Sequence, residues 1–162
     1  MGWLYSQQSK ADLISDCIRT HENGNDKWVC LKHACVGNHL WTAWEHTREE
    51  VSVRYIVLFL LEKADGMWGY KDVEESMGPC EHDCPLSLLA LVPEPKRPEG
   101  YHDWRQAVRN YHARRNQKLS VGQAVRLTNG EVFTITSLKP LLARDKHYRQ
   151  WRIPRKMLTL PS

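Results

Sequence analysis

The stretch "VSVRYIVLFLLE", residues 51–62, is the clearest strand signal in this chain. It is rich in β-branched and aromatic residues, a composition that is typical of a β-strand. Two further strands are predicted before it, at residues 28–36 and 39–46. The connections, at Gly37-Asn38 and at residues 47–50, are short, which favours an antiparallel meander of all three strands.

Helical segments are predicted on both sides of the meander. In "SKADLISDCIRT" (9–20), Ser9 is placed to cap the first N–H groups of a helix. The apolar residues of this helix form one stripe that would cover a face of the sheet: Leu13, Ile14, Cys17 and Ile18. Residues 70–79 and 84–93 are predicted to be short helices, with Pro85 at the first helical position of the second.

The last third of the chain changes character. Residues 103–118 predict a basic helix, whose buried stripe would be Trp104, Ala107, Val108 and Tyr111. The stretch "VRLTNGEVFTIT" (125–136) predicts a hairpin with a type I′ turn at Asn129-Gly130, and "HYRQWRI" (147–153) predicts a further strand. Several short strands in so few residues are typical of a small SH3-like barrel.

The predicted fold class is therefore α+β. An N-terminal helix lies on an antiparallel β-meander with short helices, and a basic helix and a small SH3-like C-terminal β module follow. The predicted boundaries are a domain at residues 1–92, a Pro-rich linker at 93–100, and a C-terminal segment at 101–162 whose helix and strands can pack as one unit.

Charge is divided unevenly along the chain. Residues 1–100 carry 10 Lys and Arg against 16 Asp and Glu, a net −6, whereas residues 101–162 carry 13 against 3, a net +10. Such a split predicts two surfaces with different partners. The longest apolar run, residues 55–61, is too short to span a bilayer, and the first residues lack the pattern of a secretory signal. We therefore expect a cytoplasmic protein without membrane contact, its five cysteines reduced.

Two clusters are candidates for a metal site: Cys30, His33 and Cys35 in the first, and Cys80, His82 and Cys84 in the second. Cys30 and Cys35 are an odd number of positions apart on a predicted strand, so alternation would place them on opposite faces. The irregular spacing favours buried thiols over a zinc site, and no cofactor is predicted. A third interpretation is a Cys84 nucleophile, activated by a helix N-terminus near His82.

Carboxylates are dense in the same region. They are either acid–base groups or the solvated face of a helix: Asp72, Glu74, Glu75, Glu81 and Asp83. The sequence patterns of phosphate loops, dinucleotide folds, zinc proteases and nucleophile elbows do not occur in the chain. The sequence accordingly predicts a protein that is not an enzyme.

Basic residues are interleaved with aromatic ones through the last third, as in nucleic-acid-binding surfaces. The predicted binding residues there are Arg105, Arg109, Arg114, Arg115, Tyr148, Arg149, Arg152, Arg155 and Lys156. Arg105 and Arg109 are expected to face outward from the helix, and Trp151 and Ile153 to fill the core of the β module. The same charges also suit a merely solubilising surface, pairing with the acidic N-terminal part, or the groove of a protein complex.

Several segments occur in an order that carries a resemblance: "GWLY" (2–5), "HACVGNHLW" (33–41), "RYIVLFLL" (54–61), "WGYKDVEESMGPCEHDCPL" (68–86), "WRQAVRNYHARR" (104–115) and "RIPRKML" (152–158). Over nearly its whole length the chain resembles a family of small uncharacterised proteins of plasmids, integrative elements and phages. The resemblance implies that Cys84 and Gly37-Asn38 belong to the family pattern and that Cys80 is less regular.

The resemblance also implies a function. Small non-enzymatic proteins of mobile elements often blunt host defences, so we expect an inhibitor of the anti-CRISPR or anti-restriction type that binds a host protein or protein–nucleic-acid complex. Two alternatives stay open: a nucleic-acid-binding accessory protein that contacts DNA or RNA through residues 101–162, and a Cys-dependent or metal-dependent enzyme. Trp68 and Tyr70 are predicted to form a rigid corner of the fold, or else to anchor a binding face.

Overall fold

The computed structural model describes residues 2–24, 27–94 and 103–159, and the chain divides into two units, Met1–Arg105 and Gln106–Ser162. Helices occur together with antiparallel sheets, so the predicted α+β class is confirmed. Of the predicted linker at 93–100, only Pro93 and Glu94 are among the described residues. No helix in the described ranges is long and apolar enough to cross a membrane.

The first unit is built on a five-stranded antiparallel sheet, and the strand that contains residues 51–62 lies at its centre. Its strands are β1 (Leu4–Gln7), β2 (Trp28–Val36), β3 (His39–Arg48), β4 (Val51–Ala64) and β5 (Met67–Glu74), in the spatial order β1-β5-β4-β3-β2. The three predicted strands are β2, β3 and β4, each paired with its neighbour in the chain. The two strands on the other side of β4, β5 and then β1, are absent from the sequence prediction.

The predicted helix over residues 70–79 is wrong, because the first half of it belongs to β5. Asp65 and Gly66 have positive φ angles of 52° and 79°, and they form a tight turn that returns the chain along β4. Once this turn is made, β4 supplies hydrogen-bond partners along the whole of β5, and that pairing overrides the local helical preference. Only Glu75–Met77 is helical, as a single 3-10 turn that ends at Gly78 in the left-handed conformation.

The helix α1 (Lys10–Gly24) covers one face of this sheet. Its start is capped as predicted, since the Ser9 hydroxyl accepts a hydrogen bond from the Asp12 N–H at 3.1 Å. The helix and the sheet share one cluster of buried side chains: Leu13, Cys17, Leu40, Trp44, Val57, Phe59 and Leu61. The helix extends past its predicted end to Gly24.

The opposite face of the sheet is buried as well. Trp41 of β3 stacks on Trp104 with the ring centroids 5.6 Å apart, and the Trp104 indole N–H donates to the Glu81 carbonyl at 2.8 Å. The short helix α2 (Leu86–Leu89) also contacts β3, and Pro85 is its N-cap instead of its first helical residue. With both faces covered, the centre of β3 and β4 is a continuous run of buried residues.

The second unit contains most of α3 (Trp104–Asn116) and a four-stranded antiparallel sheet. The strands β6 (Ala124–Arg126), β7 (Val132–Leu138), β8 (Leu141–Arg144) and β9 (Gln150–Arg152) follow one another in space as in the chain, so β9 lies at an edge. The core of this unit is one cluster of buried apolar side chains: Val125, Leu127, Phe133, Ile135, Ala143, Ile153 and Leu158.

The turn between β6 and β7 is not of type I′. Gly130 has a positive φ of 89° but Asn129 does not. The Gly130 N–H donates to the Leu127 carbonyl at 2.9 Å, and the Leu127 N–H donates to the Glu131 carbonyl at 2.8 Å. This pattern is a type I turn followed by a glycine bulge. The Asn129 side chain supports it, because its Oδ1 accepts a hydrogen bond from the Glu131 N–H at 3.0 Å.

Candidate binding cleft in the C-terminal unit

A cleft of about 610 Å³ opens on the sheet of the second unit. One wall is the β6–β7 hairpin with Phe133, and the other is formed by the loop between β8 and β9 together with β9 itself. Two of the predicted binding residues, Arg149 and Arg152, line it beside Trp151. The volume lies in the range of sites that hold small molecules or single units of a polymer.

Asp145 organises the loop between β8 and β9. Its Oδ1 accepts hydrogen bonds from the backbone N–H groups of His147 at 2.8 Å and Arg149 at 3.0 Å, and its Oδ2 accepts one from Trp151 Nε1 at 3.0 Å. The Arg149 guanidinium adds an ion pair at 3.4 Å. The hydrogen bond from the Trp151 indole is the main cause that lowers the pKa of Asp145 from 3.8 to about 2. The ionised carboxylate therefore holds this loop at neutral pH.

Trp151 is predicted to fill the core, but it is not buried. It lies opposite Ala143 of β8, on the side of the sheet that carries the buried Ile153, so the predicted face is the core-facing one. However, β9 is an edge strand and the core ends there, which leaves Trp151 49% exposed. Asp145 fixes one edge of the indole, and the ring forms part of the cleft wall.

The acidic groups of the cleft are engaged within the protein. Residues 106–162 contain only two, Glu131 and Asp145, and both line the cleft. Asp145 is saturated by the loop that it organises. Glu131 accepts a hydrogen bond from Asn129 Nδ2 on its Oε2 at 3.1 Å. Both carboxylates thus stabilise turns that shape the walls.

Lys146 and Arg152 supply cationic groups for a ligand. Both are exposed and line the cleft, and within the described residues 103–159 neither forms a salt bridge. Tyr148, one of the predicted binding residues, lies on the same loop, is 79% exposed and has the Arg144 guanidinium 5.3 Å from its ring centre. The loop therefore presents cations and aromatic rings together.

Two predicted binding residues stabilise the second unit instead. Arg114 donates from its Nε to the Leu158 carbonyl at 3.2 Å. Arg155 is half-buried, and its Nη1 donates to the carbonyls of Arg114 at 3.3 Å and Gln117 at 3.1 Å. The two bonds from Arg155 satisfy carbonyl groups at the C-terminal end of α3, which the helix itself leaves without partners.

Three further predicted binding residues, Arg109, Arg115 and Lys156, are exposed but lie outside the cleft. The Arg115 guanidinium lies 5.6 Å from the ring centre of Tyr111, one turn earlier on α3, and accordingly covers that ring. The predicted binding residues are thus dispersed, and of them only Arg149 and Arg152 line the cleft.

The predicted outward orientation of Arg105 is wrong. Arg105 is 4% exposed, and its Nε and Nη2 donate to the two carboxylate oxygens of Glu75 at 2.5 and 3.0 Å. Its Nη1 donates to the Val92 carbonyl at 2.7 Å. The first turn of α3 is covered by the chain around residues 75 and 92, so the helix has a wider buried side there than the apolar stripe indicates. Arg105 is part of the folded core of the first unit.

Trp68 and Tyr70 also contact the first core. Both are half-buried on β5 and pack against the cluster that α1 covers. The Tyr70 ring meets Phe59 edge-on at 5.6 Å, and Lys10 Nζ lies 5.7 Å from the centre of the Trp68 ring. Both side chains therefore contribute to the packing of the first unit.

The cysteine and histidine candidates are not brought together into a metal site. Among the described residues, no three His, Cys, Asp or Glu side chains are grouped so that they could hold a metal ion. A bulge in β2 does change the expected parity: Cys30 lies opposite Trp44 and Cys35 opposite Leu40, so both cysteines are on the same face. Burial raises the pKa of the Cys30 thiol to about 11.

Cys84 does not have the environment of an activated nucleophile. It is fully buried, and burial, followed by the charges of Glu75 and Asp83, raises the pKa of its thiol far above the ordinary value. An activated thiol needs the opposite shift and access to a substrate. The burial of Cys84 therefore favours the interpretation of a buried thiol over that of a nucleophile.

A histidine–aspartate pair, His39 and Asp83, was missed by the sequence prediction. His39 Nδ1 lies 2.9 and 2.8 Å from the two carboxylate oxygens of Asp83, and the Trp41 indole N–H donates to Oδ1 at 3.0 Å. Such a pair orients a catalytic histidine in hydrolases, but no hydroxyl or thiol of the described residues hydrogen-bonds to His39. The pair ties β3 to the segment before α2.

Neither a protein family, nor a curated protein, nor a solved structure was found to match the chain. The function of the protein must therefore be inferred from the cleft and from the distribution of charge. Of the residues that line the cleft, the predicted binding set contains Arg149 and Arg152, whereas Trp151 is predicted to fill the core and Lys146 and Asp145 are not predicted. The Asp145 signal, an acidic residue followed by a short polar loop and an aromatic strand, is common to many turns.

Proposed function

We propose that this protein is a non-enzymatic binding protein that holds an anionic partner in the cleft of its second unit. Its partner in the host cytoplasm would be a protein or protein–nucleic-acid complex of a defence system, so that the protein acts as an inhibitor of the anti-CRISPR or anti-restriction type. The resemblance to proteins of mobile elements supports the biological context, and the charge of the second unit supports the mode of binding.

One observation carries the proposal. Residues 106–162 contain 12 Lys and Arg against 2 Asp and Glu, and both acidic side chains are engaged in holding the cleft walls. The field at the cleft is therefore positive, and it attracts an anionic partner over a distance of about 8–10 Å at physiological salt. A purely solubilising surface would have no reason to combine this charge with an open cleft and a half-exposed tryptophan.

The finer fold belongs to the same proposal. The four short strands, together with a bridge between Leu127 and Leu158 that joins the end of the chain to the β6 side of the sheet, support an SH3-like barrel. Small barrels commonly bind ligands on an open face between loops, which is where the cleft lies.

The test is a charge reversal of Lys146 and Arg152, the two cleft cations that form no salt bridge within residues 103–159. We expect the Lys146→Glu, Arg152→Glu double variant to remain folded, because both side chains are exposed, but to lose capture of the partner from host lysate. The same variant should lose protection of an invading plasmid or phage in a host that carries a CRISPR or restriction system.

The matched control is Lys32→Glu, Lys63→Glu, which makes the same change in net charge on exposed positions of the first unit. This control should keep both capture and protection. If the Lys146, Arg152 variant captures its partner and protects as well as the unaltered protein, the cleft is not the binding site and the proposal fails.

A further inference from the structure

We infer that the cleft binds single-stranded nucleic acid, with a base stacked on Trp151 and neighbouring phosphates held by Lys146 and Arg152. This inference rests on the proposed function and names the chemical class of the partner. It depends on the indole, on the placement of the cations and on the shape of the cleft.

The Trp151 indole is a preformed stacking surface. Its Nε1 is fixed by Asp145 at 3.0 Å, and about half of the residue is exposed on the cleft side of the edge strand. Because the hydrogen bond holds the ring before a ligand arrives, little side-chain entropy remains to be lost on binding. An exposed, immobilised indole is also the group on which unpaired bases stack, whatever their sequence.

Two cations line the same cleft as this ring, and they come from different elements. Lys146 belongs to the loop between β8 and β9, and Arg152 follows Trp151 on β9. Since neither cation is paired within the described part of the second unit, both are available to phosphate oxygens. Arg149 is different, because its Nε forms an ion pair with Asp145 Oδ2 at 3.4 Å and so helps to stabilise the loop.

The shape of the cleft favours a single strand over a duplex. A duplex presents phosphates on its outside and keeps its base faces covered by neighbouring pairs, so it could contact the cations but not the indole face. In a single strand the bases are free to enter a concave site. The lining of the cleft includes the apolar side chains Phe133 and Ile153, which suit a base or a sugar better than a charged backbone.

The experiment measures fluorescence anisotropy of a labelled oligothymidine of about 10 nucleotides, a length within the range that small barrels cover. The same label on a duplex of equal length is the comparison. We expect the unaltered 162-residue protein to bind the single strand more tightly than the duplex. Binding to the single strand should weaken with salt, with a slope of about −0.7 per phosphate contacted.

Trp151→Ala is expected to weaken single-strand binding by roughly 5- to 150-fold, the usual loss for removing one stacking partner. Trp3→Ala is the matched control, because Trp3 is 36% exposed but belongs to the first unit. The control should bind like the unaltered protein. Circular dichroism of both variants checks that the fold persists.

Glu131→Gln tests the electrostatic part, because it removes the acidic charge on the opposite wall while its amide oxygen can still accept the bond from Asn129. We expect tighter binding of the single strand. Equal affinity for duplex and single strand, no effect of Trp151→Ala, or no oligonucleotide binding at all would each overturn the inference.

Failure of this inference can be told apart from failure of the proposed function. If no oligonucleotide binds but the Lys146, Arg152 variant still loses its partner from nuclease-treated lysate, the cleft binds an acidic protein surface. The proposed function then stands and the nucleic-acid inference is wrong. If the partner is retained by that variant, the proposed function fails first.

Discussion

The two units of this protein use the same kinds of side chain in opposite ways. In the first unit Arg105 is buried against Glu75, and Trp104 is fully buried against Trp41. In the second unit Arg152 is exposed and Trp151 is 49% exposed at the edge of a sheet. The first unit covers both faces of its sheet, whereas the second ends at an open edge strand. Burial, and not residue type, therefore determines which cation or indole is available to a ligand.

The largest expected effect is the loss of the buried cation. Arg105→Ala removes the bidentate partner of the buried Glu75 carboxylate, and we expect the free energy of unfolding of the first unit to fall by about 3–5 kcal/mol. Urea denaturation, followed by circular dichroism, measures the change.

Arg115→Ala is the matched control for Arg105, because it removes an exposed guanidinium from the same helix and should cost no more than about 0.5 kcal/mol. Replacing both members of the buried pair, as Arg105→Met with Glu75→Leu, should recover much of the loss. If Arg105→Ala is as mild as the control, the contrast between the two units is weaker than the burial indicates.

A second prediction concerns the close approach of β1 to β5. A Cβ added at Gly69 would lie 2.6 Å from the Leu4 carbonyl oxygen and would also meet the Tyr5 ring. We expect Gly69→Ala to displace β1 and to destabilise the first unit by about 1–3 kcal/mol, as overpacking does. Gly24→Ala, where a Cβ would meet nothing within 4 Å, is the control and should be nearly neutral. Equal melting temperatures for the two variants would contradict the pairing of β1 with β5.

The pH dependence of the second unit follows from Asp145. Its pKa is lowered in the folded state, so the ionised carboxylate contributes stability that is fully present above about pH 4 and is lost as the pH falls from 3.8 towards 2. The carboxyl carbon shift of Asp145, followed by NMR, should titrate with a midpoint near 2. In Trp151→Phe, which removes the indole donor, the midpoint should rise towards the ordinary value. A midpoint near 4 in the unaltered protein would show that the loop is not held in this way.

The smallest effect is expected from the thiols. In native protein at neutral pH, Cys35 and Cys80 should react with iodoacetamide first, because both are exposed. Cys17 and Cys84 should be protected, since both are buried and burial raises the pKa of each thiol, that of Cys17 to about 12. Mass spectrometry of the alkylated peptides gives the order. Early modification of Cys84 would restore the nucleophile hypothesis.

The sequence was sufficient where a pattern is local. The strand at residues 51–62 and the Ser9 cap depend on side chains within a few positions of one another, so composition and spacing predict them. The sequence was insufficient where a distant partner decides. β5 forms because β4 lies beside it, and β1 pairs with a strand more than sixty residues later. The Asp65-Gly66 dipeptide is a hairpin signal, and it predicts a strand after residue 66 in place of the helix predicted at residues 70–79.

The candidate site shows the same limit. The excess of basic residues is visible in the sequence, but helical periodicity placed Arg105 outward and strand alternation placed Trp151 in the core. Arg105 is buried by the chain around Glu75, thirty residues away. Trp151 is exposed because its strand is the last in the sheet, which alternation does not reveal.

The contacts of Trp104 and Arg105 have a consequence for dividing the chain. The Pro-rich segment at residues 93–100 looks like the natural place to cut, but a fragment that ends there would lose the ring that covers Trp41 and the cation that neutralises Glu75. Such a fragment would expose apolar surface and tend to aggregate. A fragment extended through Arg105 keeps both contacts. The boundary that composition suggests, at residues 93–100, therefore differs from the end of the folded first unit at Arg105. The end at Arg105 should guide any attempt to produce or exchange the two units separately.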